Sequence, residues 1–494
     1  MPRFICLVVF VVCCSLRVGA SEGVFDYNSN CLKAYRHLMA LQFEEARLML
    51  SAEQKKNPAN IIPLYLADYE DCLNLLFNGD PKAYASWKGR LDQRLELLEQ
   101  GDQNSPWYRF CKANLYLHWA LVAMRFNEQL KAASRFRKSF LLLRENSALH
   151  PGFGENKVLL GLEQAVAGAI PDNYKWLGSV FGVKGDINKG VAAIVAYLNA
   201  HTDGKAMLHE EAMIYYIYLK FYLLNARETA WKYVNSNAYA EKDNLMRSFI
   251  KANIALNHRK ADIAEAIVSK ASLLQEYPSF PILYYEYAEA KLMQLDYSCV
   301  SAYQQFLKNY KGGHFVKDSW LKIAWAAYLQ QDKKSRDYAI GQVQKAGNAQ
   351  TDADKQAQKF ALRPEWPLPA LLEVRLLIDG GLYPKALATI QKIDKQGLNT
   401  SNLLEYHFRY GRIFEELGQD ENALIFYTTT INSGRQRQEY YAARAALQSG
   451  FIYETQGKKA AAVAQFRDCL SMRNHDAQNA IDQLAKAGLN RLGK

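Results

Sequence analysis

A chain of 494 residues with a formal net charge of +11 is only mildly basic, and its 61 lysines and arginines are interleaved with 50 acids, as on solvated helix faces. No basic run with interleaved aromatics appears, so no nucleic-acid partner is indicated; acidic partners and anionic surfaces are permitted. Glycine and proline fall mostly between helical blocks, and alternating strand patterns are missing, which points to an all-helical protein.

The first twenty residues read as an export signal. Arg3 supplies a positive start, residues 5–16 are almost wholly apolar, and Val18-Gly19-Ala20 precedes a cleavage point before Ser21. An N-terminal anchor helix is the alternative, although the apolar core is short for a bilayer span. Removing Arg3 and Arg17 leaves +9 on the remainder. Five cysteines follow: Cys31, Cys72, Cys111, Cys299 and Cys469. They are odd in number and lack CxxC spacing, so they form neither a disulfide framework nor a zinc site. A Cys31–Cys72 bridge between adjacent hairpins stays open as one alternative, with small buried thiols as the default.

Residues 21–150 are predicted to be helical hairpins, with two long helices over 107–144 joined near Phe126-Asn127. Residues 151–200 form a Gly-rich helical insertion. A short helix over 155–169 leads to a Pro171-Asp172 turn, a second helix over 174–181 and a glycine corner before Ile187. The apolar stretch 158–170 is expected to dock on its neighbours as a plug, with a membrane surface as the competing partner. Central repeats occupy 201–345, a linker 346–366, and terminal repeats 367–494.

The repeats carry a signature. Gly411, Phe414, Gly418, Ala423 and Tyr427 return 39 residues later as Gly450, Tyr453, Gly457, Ala462 and Phe466. A fixed period of this size signals stacked units that cannot bury their apolar faces alone. The unit resembles the tetratricopeptide repeat, in which the eighth position is small, alanine sits at twenty and a proline often closes the unit. Residues 30–58 fit through Ala34, Ala46, Leu50 and Pro58. Eighth-position sites then run through 218, 252, 288, 324, 374, 411 and 450, the first of them occupied by the bulky Tyr218. The expected fold is an all-α, right-handed superhelical solenoid of such hairpins. Around residues 130–200, Arg137-Lys138-Ser139 and the corner Phe181-Gly182-Val183-Lys184-Gly185-Asp186 resemble the eukaryotic inclusion-body-clearance family of repeat proteins. That resemblance implies architecture only.

Catalytic constellations are not found. His201, His209, Glu210 and Glu211 lack the HExxH spacing of a zinc protease and read as solvated helix-end residues. The glycines at 182, 185 and 190 lack the Gly-Lys-Ser/Thr of a phosphate loop, and no Gly-x-Ser-x-Gly turn occurs. No cofactor or metal is expected, and a hydrolase with a divergent site in 150–210 is the remote alternative. Asn399-Thr400-Ser401 is a lone sequon.

The family resemblance implies a concave groove lined by the first helix of each unit. Its projected lining is Tyr285, Glu289, Trp325, Tyr328, Arg375, Phe408, Arg412, Glu415 and Phe451. Aromatic and arginine side chains of this kind are enriched at binding hot spots. The expected function is a non-enzymatic, exported scaffold or adaptor that binds a protein or peptide, in a bacterial periplasm or envelope, with secretion as the alternative. An assembly factor or carrier for envelope proteins is the second reading.

Overall fold

A computed structural model describes residues 23–169, 185–204, 206–240, 243–362 and 364–493. The expected signal peptide, and most of the expected 170–186 turn, second helix and corner, lie outside these residues. Among the described residues there are helices and two isolated β-bridges, Gly23 to Gly101 and Val24 to Asn60, and no named strand.

The chain forms helices in antiparallel pairs. The first pair is α1 (Ser29–Met39) and α2 (Phe43–Lys56). The Asn28 side chain caps α1 by accepting from the Asn30 and Cys31 N–H groups, which have no partner inside the helix. Ala34 and Ala46 are fully buried where the pair nests, as the repeat pattern expects. Next come α3 (Ile62–Asn78), the short α4 (Pro81–Trp87) and α5 (Arg90–Leu98), then the long pair α6 (Pro106–Arg125) and α7 (Gln129–Leu149). Asp80 and Ser105 cap α4 and α6, each followed by a proline whose missing N–H costs nothing at that position.

The Gly-rich stretch supplies a pair of its own. Helix α8 (Asn156–Gly168) packs on α7 and on α9 (Ile187–Ala200). Gly161 and Gly190 meet at the crossing: a Cβ on Gly190 would stand 2.2 Å from the Gly161 carbonyl oxygen. Val158, Leu159 and Ala165 are fully buried by these contacts, so α8 spends its apolar face on its neighbours as the plug reading expects.

The central and terminal pairs follow in order. They are α10 (His209–Tyr218) with α11 (Arg227–Val234), α12 (Leu245–Asn257) with α13 (Ala261–Ala271), and α14 (Ile282–Met293) with α15 (Cys299–Asn309). Then come α16 (Val316–Leu329) with α17 (Lys333–Lys345), α18 (Asp352–Leu362), and α19 (Pro369–Asp379) with α20 (Tyr383–Ile390). The last are α21 (Thr400–Glu416) with α22 (Asp420–Gly434), α23 (Tyr441–Thr455) with α24 (Lys459–Ser471), and the closing α25 (Gln478–Arg491).

Two departures from the sequence reading have physical causes. The linker expected at 346–366 contains α18, which packs on α16 and α17 through fully buried Ala357 and nearly buried Ala361. Its polar composition hid it; Asp354 is buried because it accepts from the Phe315 N–H at 2.7 Å and the Asp318 N–H at 3.1 Å. At the unit whose small site holds Tyr218, the helix loosens into a π-turn over Leu219–Leu223. The bulky Tyr218 thus directly precedes a register slip in its own helix.

One turn geometry recurs. Leu41, Asn127, Arg259, Leu295, Gln331, Gly381, Gly418 and Gly457 all have positive φ, one residue into the turn between paired helices. The next N–H in each reaches back to the last helical turn, as from Gln42 to the His37 carbonyl at 2.8 Å and from Lys458 to the Tyr453 carbonyl at 2.9 Å. This is the glycine-favouring helix ending described for left-handed caps. A Cβ at Gly418 would meet nothing within 4 Å, so only the backbone opposes a side chain there. Gly418→Ala is expected to cost about 1 kcal/mol in urea unfolding, the left-handed penalty alone. A neutral or stabilising result would remove the turn from the account of the fold.

The five cysteines are all buried and free, so no bridge joins Cys31 and Cys72. The solenoid curls enough for its front to meet its middle. Phe77 on α3 lies 5.1 Å from the Phe249 ring and 5.6 Å from the Phe280 ring, and Phe43 lies 5.7 Å from Phe280.

Candidate interaction face and apolar pocket

The residues projected onto a groove lie along the first helices of successive pairs, but many of them grip each other. Glu289 is 8% exposed and accepts from the Lys322 ammonium at 3.2 Å and from the Tyr303 hydroxyl. Burial pushes its carboxyl up while Lys322 pulls it down, and burial prevails. Tyr285 donates to Asp318 at 2.8 Å. Trp325 is 7% exposed, with the Lys322 ammonium 5.0 Å and the Arg375 guanidinium 5.1 Å from its ring centre.

Further along, Phe408 is buried among Tyr427, Tyr440 and Tyr441. Arg412 is buried between Glu415 and Glu416, donating to Glu416 at 2.6 Å. Glu415 also accepts from Gln448 at 2.8 Å and from the Tyr427 hydroxyl. Tyr328 donates to the Pro367 carbonyl at 2.9 Å. Thus Glu289, Trp325, Phe408 and Arg412 pack between neighbouring helices, which corrects their expected exposure. The side chain of Arg375 is 44% exposed, and Phe451 is half-buried under Arg491, whose guanidinium lies 5.8 Å from its ring centre. These two, with Tyr328, are the projected residues with the most reach toward a partner.

Arg444 on α23 differs from the other arginines of this face. No ion pair forms on it among the described residues, and burial pushes its guanidinium down, with Arg412 and Arg259 adding repulsion. The Glu415 carboxylate opposes part of this shift without forming an ion pair.

A second feature was not legible in sequence. A cavity of about 400 Å³ opens inside the curl made by residues 39–315, between α3, α6, α10 and α12. Leu73, Phe77, Ile214, Phe249 and Ile250 are among its walls. Glu211 closes its floor and is 3% exposed rather than solvated at a helix end. It accepts hydroxyls from Tyr69 at 2.8 Å, Tyr215 at 2.8 Å and Tyr35 at 3.1 Å. Asn114 donates to Tyr65 and Tyr69 at 2.7 and 2.8 Å, and His118 is fixed by Asp68 at 2.8 Å. Only Tyr215, one helical turn from Glu211, carried any sequence signal, since Tyr35 and Tyr69 come from distant hairpins. Glu210, by contrast, is held by Arg247 at 3.0 Å.

Among the described residues no group of histidine, cysteine and carboxylate side chains has the arrangement of a metal site. None of the described helices is long and apolar enough to cross a membrane.

The chain carries a tetratricopeptide repeat: the model of that family matches residues 443–476, which span most of α23 and all of α24. No curated protein matches. Among solved structures, the crystal structure of the APC/C hetero-tetramer Cut9-Hcn1 is similar over 92% of this chain and 95% of that chain, at 11% sequence identity and a TM-score of 0.22. No catalytic family is indicated.

Proposed function

We propose that this protein is a non-enzymatic scaffold, exported from the cell that makes it, which holds a segment of a partner protein along the inner face from Tyr285 to Phe451. Solenoids of helix pairs bind through extended concave surfaces. The observation that carries the reading is Arg375, exposed and anchored over the Trp325 ring, with Tyr328 on the first helix before it and Phe451 on the first helix two units after it. An arginine stacked on a buried aromatic is preorganised, so less entropy is lost when it meets a partner carboxylate or ring. The export reading rests on residues 1–20, and the bacterial envelope on the scarcity of cysteine.

The test uses a photo-crosslinking phenylalanine analogue at 451, which keeps the ring of Phe451, and, as control, at 425, where Ile425 is 63% exposed on the second helix of its pair. Position 451 is expected to trap a discrete partner in the native cells and position 425 is not. Changing Tyr328 and Arg375 to alanine should cut the yield at least fivefold with helicity unchanged. Equal trapping from both positions, or an unchanged yield in the variant, would exclude this face.

A further inference from the structure

We infer that the cavity inside the curl of residues 39–315 binds a single-chain amphiphile with an anionic head, such as a long-chain carboxylate. This site adjoins the face between Tyr285 and Phe451, with Tyr285 packed on the cavity-lining Phe315 at 4.9 Å, and the inference does not depend on that face.

The walls are aliphatic and aromatic, and the room, about 400 Å³, falls within the roughly 300–1,000 Å³ of small-molecule sites. Such sites pair an apolar body with a few fixed polar groups. Here the polar groups are separated by role. The Glu211 carboxylate at the floor is held by three tyrosine hydroxyls, which fix it without cancelling its charge, so an anionic head is turned away from the floor and toward the Arg125 end.

At the rim sits Arg125, at the end of α6. Its guanidinium contacts bring no acid to it: the Leu76 carbonyl at 3.1 Å, the Tyr310 hydroxyl and the His314 ring. His314 is bonded through its other nitrogen to Gln350 at 2.7 Å. Arg125 forms no ion pair among the described residues, and a guanidinium has five N–H donors, more than these three contacts use. A half-buried cation without an acid, at the mouth of an apolar cavity, is complementary to an anionic head joined to an apolar tail. The exposed Leu121 lies one helical turn before Arg125 and continues the apolar surface outward.

The full chain, purified by a route that removes bound lipid, is titrated with laurate, dodecanol and dodecylamine. Displacement of a dansyl-labelled fatty acid and native mass spectrometry give the readouts. One laurate per chain is expected, with dodecanol and dodecylamine at least tenfold weaker. Arg125→Gln should erase the preference for the acid. Because Arg125 also ties α6 to residues 76, 310 and 314, a second variant guards against a folding defect. Leu121→Glu places a carboxylate within reach of Arg125 at an exposed position, and should weaken laurate tenfold or more with helicity intact. Absent saturable binding, equal affinity for acid, alcohol and amine, or laurate binding unchanged in Leu121→Glu would overturn the inference. Displacement of the probe by an amphipathic peptide but not by laurate would also overturn it, and would assign the cavity to a protein partner.

Discussion

Phe466→Ala is expected to destabilise the terminal hairpins by about 3–5 kcal/mol, the cost of deleting a fully buried aromatic ring. The ring is 0% exposed and sits against glycines on two sides. A Cβ added at Gly450 would stand 2.5 Å from it, and one at Gly488 2.6 Å. Nothing flexible is available to fill the space, because both glycines lie on helices held by their own backbones. The converse change overpacks the same contact: Gly450→Ala should cost about 1–3 kcal/mol. The two changes are coupled, so Phe466→Leu combined with Gly450→Ala should cost less than the sum of the single variants. Urea unfolding followed by circular dichroism, with amide exchange over 441–491, reads all three. Strict additivity would show that glycine and ring do not share one space.

Glu286→Gln should reduce the loss of stability that the fold suffers as pH rises toward about 8, a loss to which the buried Glu163 and Glu289 carboxyls also contribute. Glu286 is 3% exposed on α14; one oxygen accepts from Asn253 at 2.8 Å and the other has no partner. Burial pushes its carboxyl up to about 8, against a small opposing effect of Asn253. The unfolded chain ionises this group near the ordinary glutamate value. Between that pH and about 8 the native state binds more protons, so stability falls as pH rises through this window and is fully present only below it. The loss by pH 9 is on the order of 4 kcal/mol. Glutamine keeps the acceptor for Asn253 but leaves a buried N–H pair unmatched, a cost of about 1–3 kcal/mol at every pH. The variant should therefore be no more stable than the parent at pH 5 and more stable at pH 9. Denaturant midpoints at the two pH values decide it; identical pH slopes in parent and variant would place the sensitivity elsewhere.

The terminal hairpins were the most legible part of this chain. Their signature residues are small or aromatic for a reason visible in one unit: Gly411 accommodates Tyr427 as Gly450 accommodates Phe466. The turn signal was legible only where glycine occupied it. Leu41, Leu295 and Gln331 adopt the same left-handed conformation without announcing it. Helix α18 was missed because its buried residues are two alanines and an aspartate, which an apolar pattern does not weigh.

The interaction face was legible as positions and not as contacts. Spacing placed Arg412 and Glu289 on first helices, but they are buried against partners it did not weigh: Glu416 one turn further along the same helix, and Tyr303 on the second helix of the same pair. The cavity was not legible at all. Its walls come from residues 39 to 315, and no local pattern encodes which hairpins a curling stack brings together.

That curl has a consequence for biosynthesis. In a strictly linear stack each unit finds its neighbour as soon as it emerges, so folding keeps pace with translation. Here Phe77 waits for Phe249 and Phe280, and Arg125 waits for Tyr310 and His314. The nascent chain thus carries an uncovered sticky surface on its leading hairpins until well over half of it has been made. Whatever escorts the polypeptide during that interval must shield the leading end rather than the trailing one.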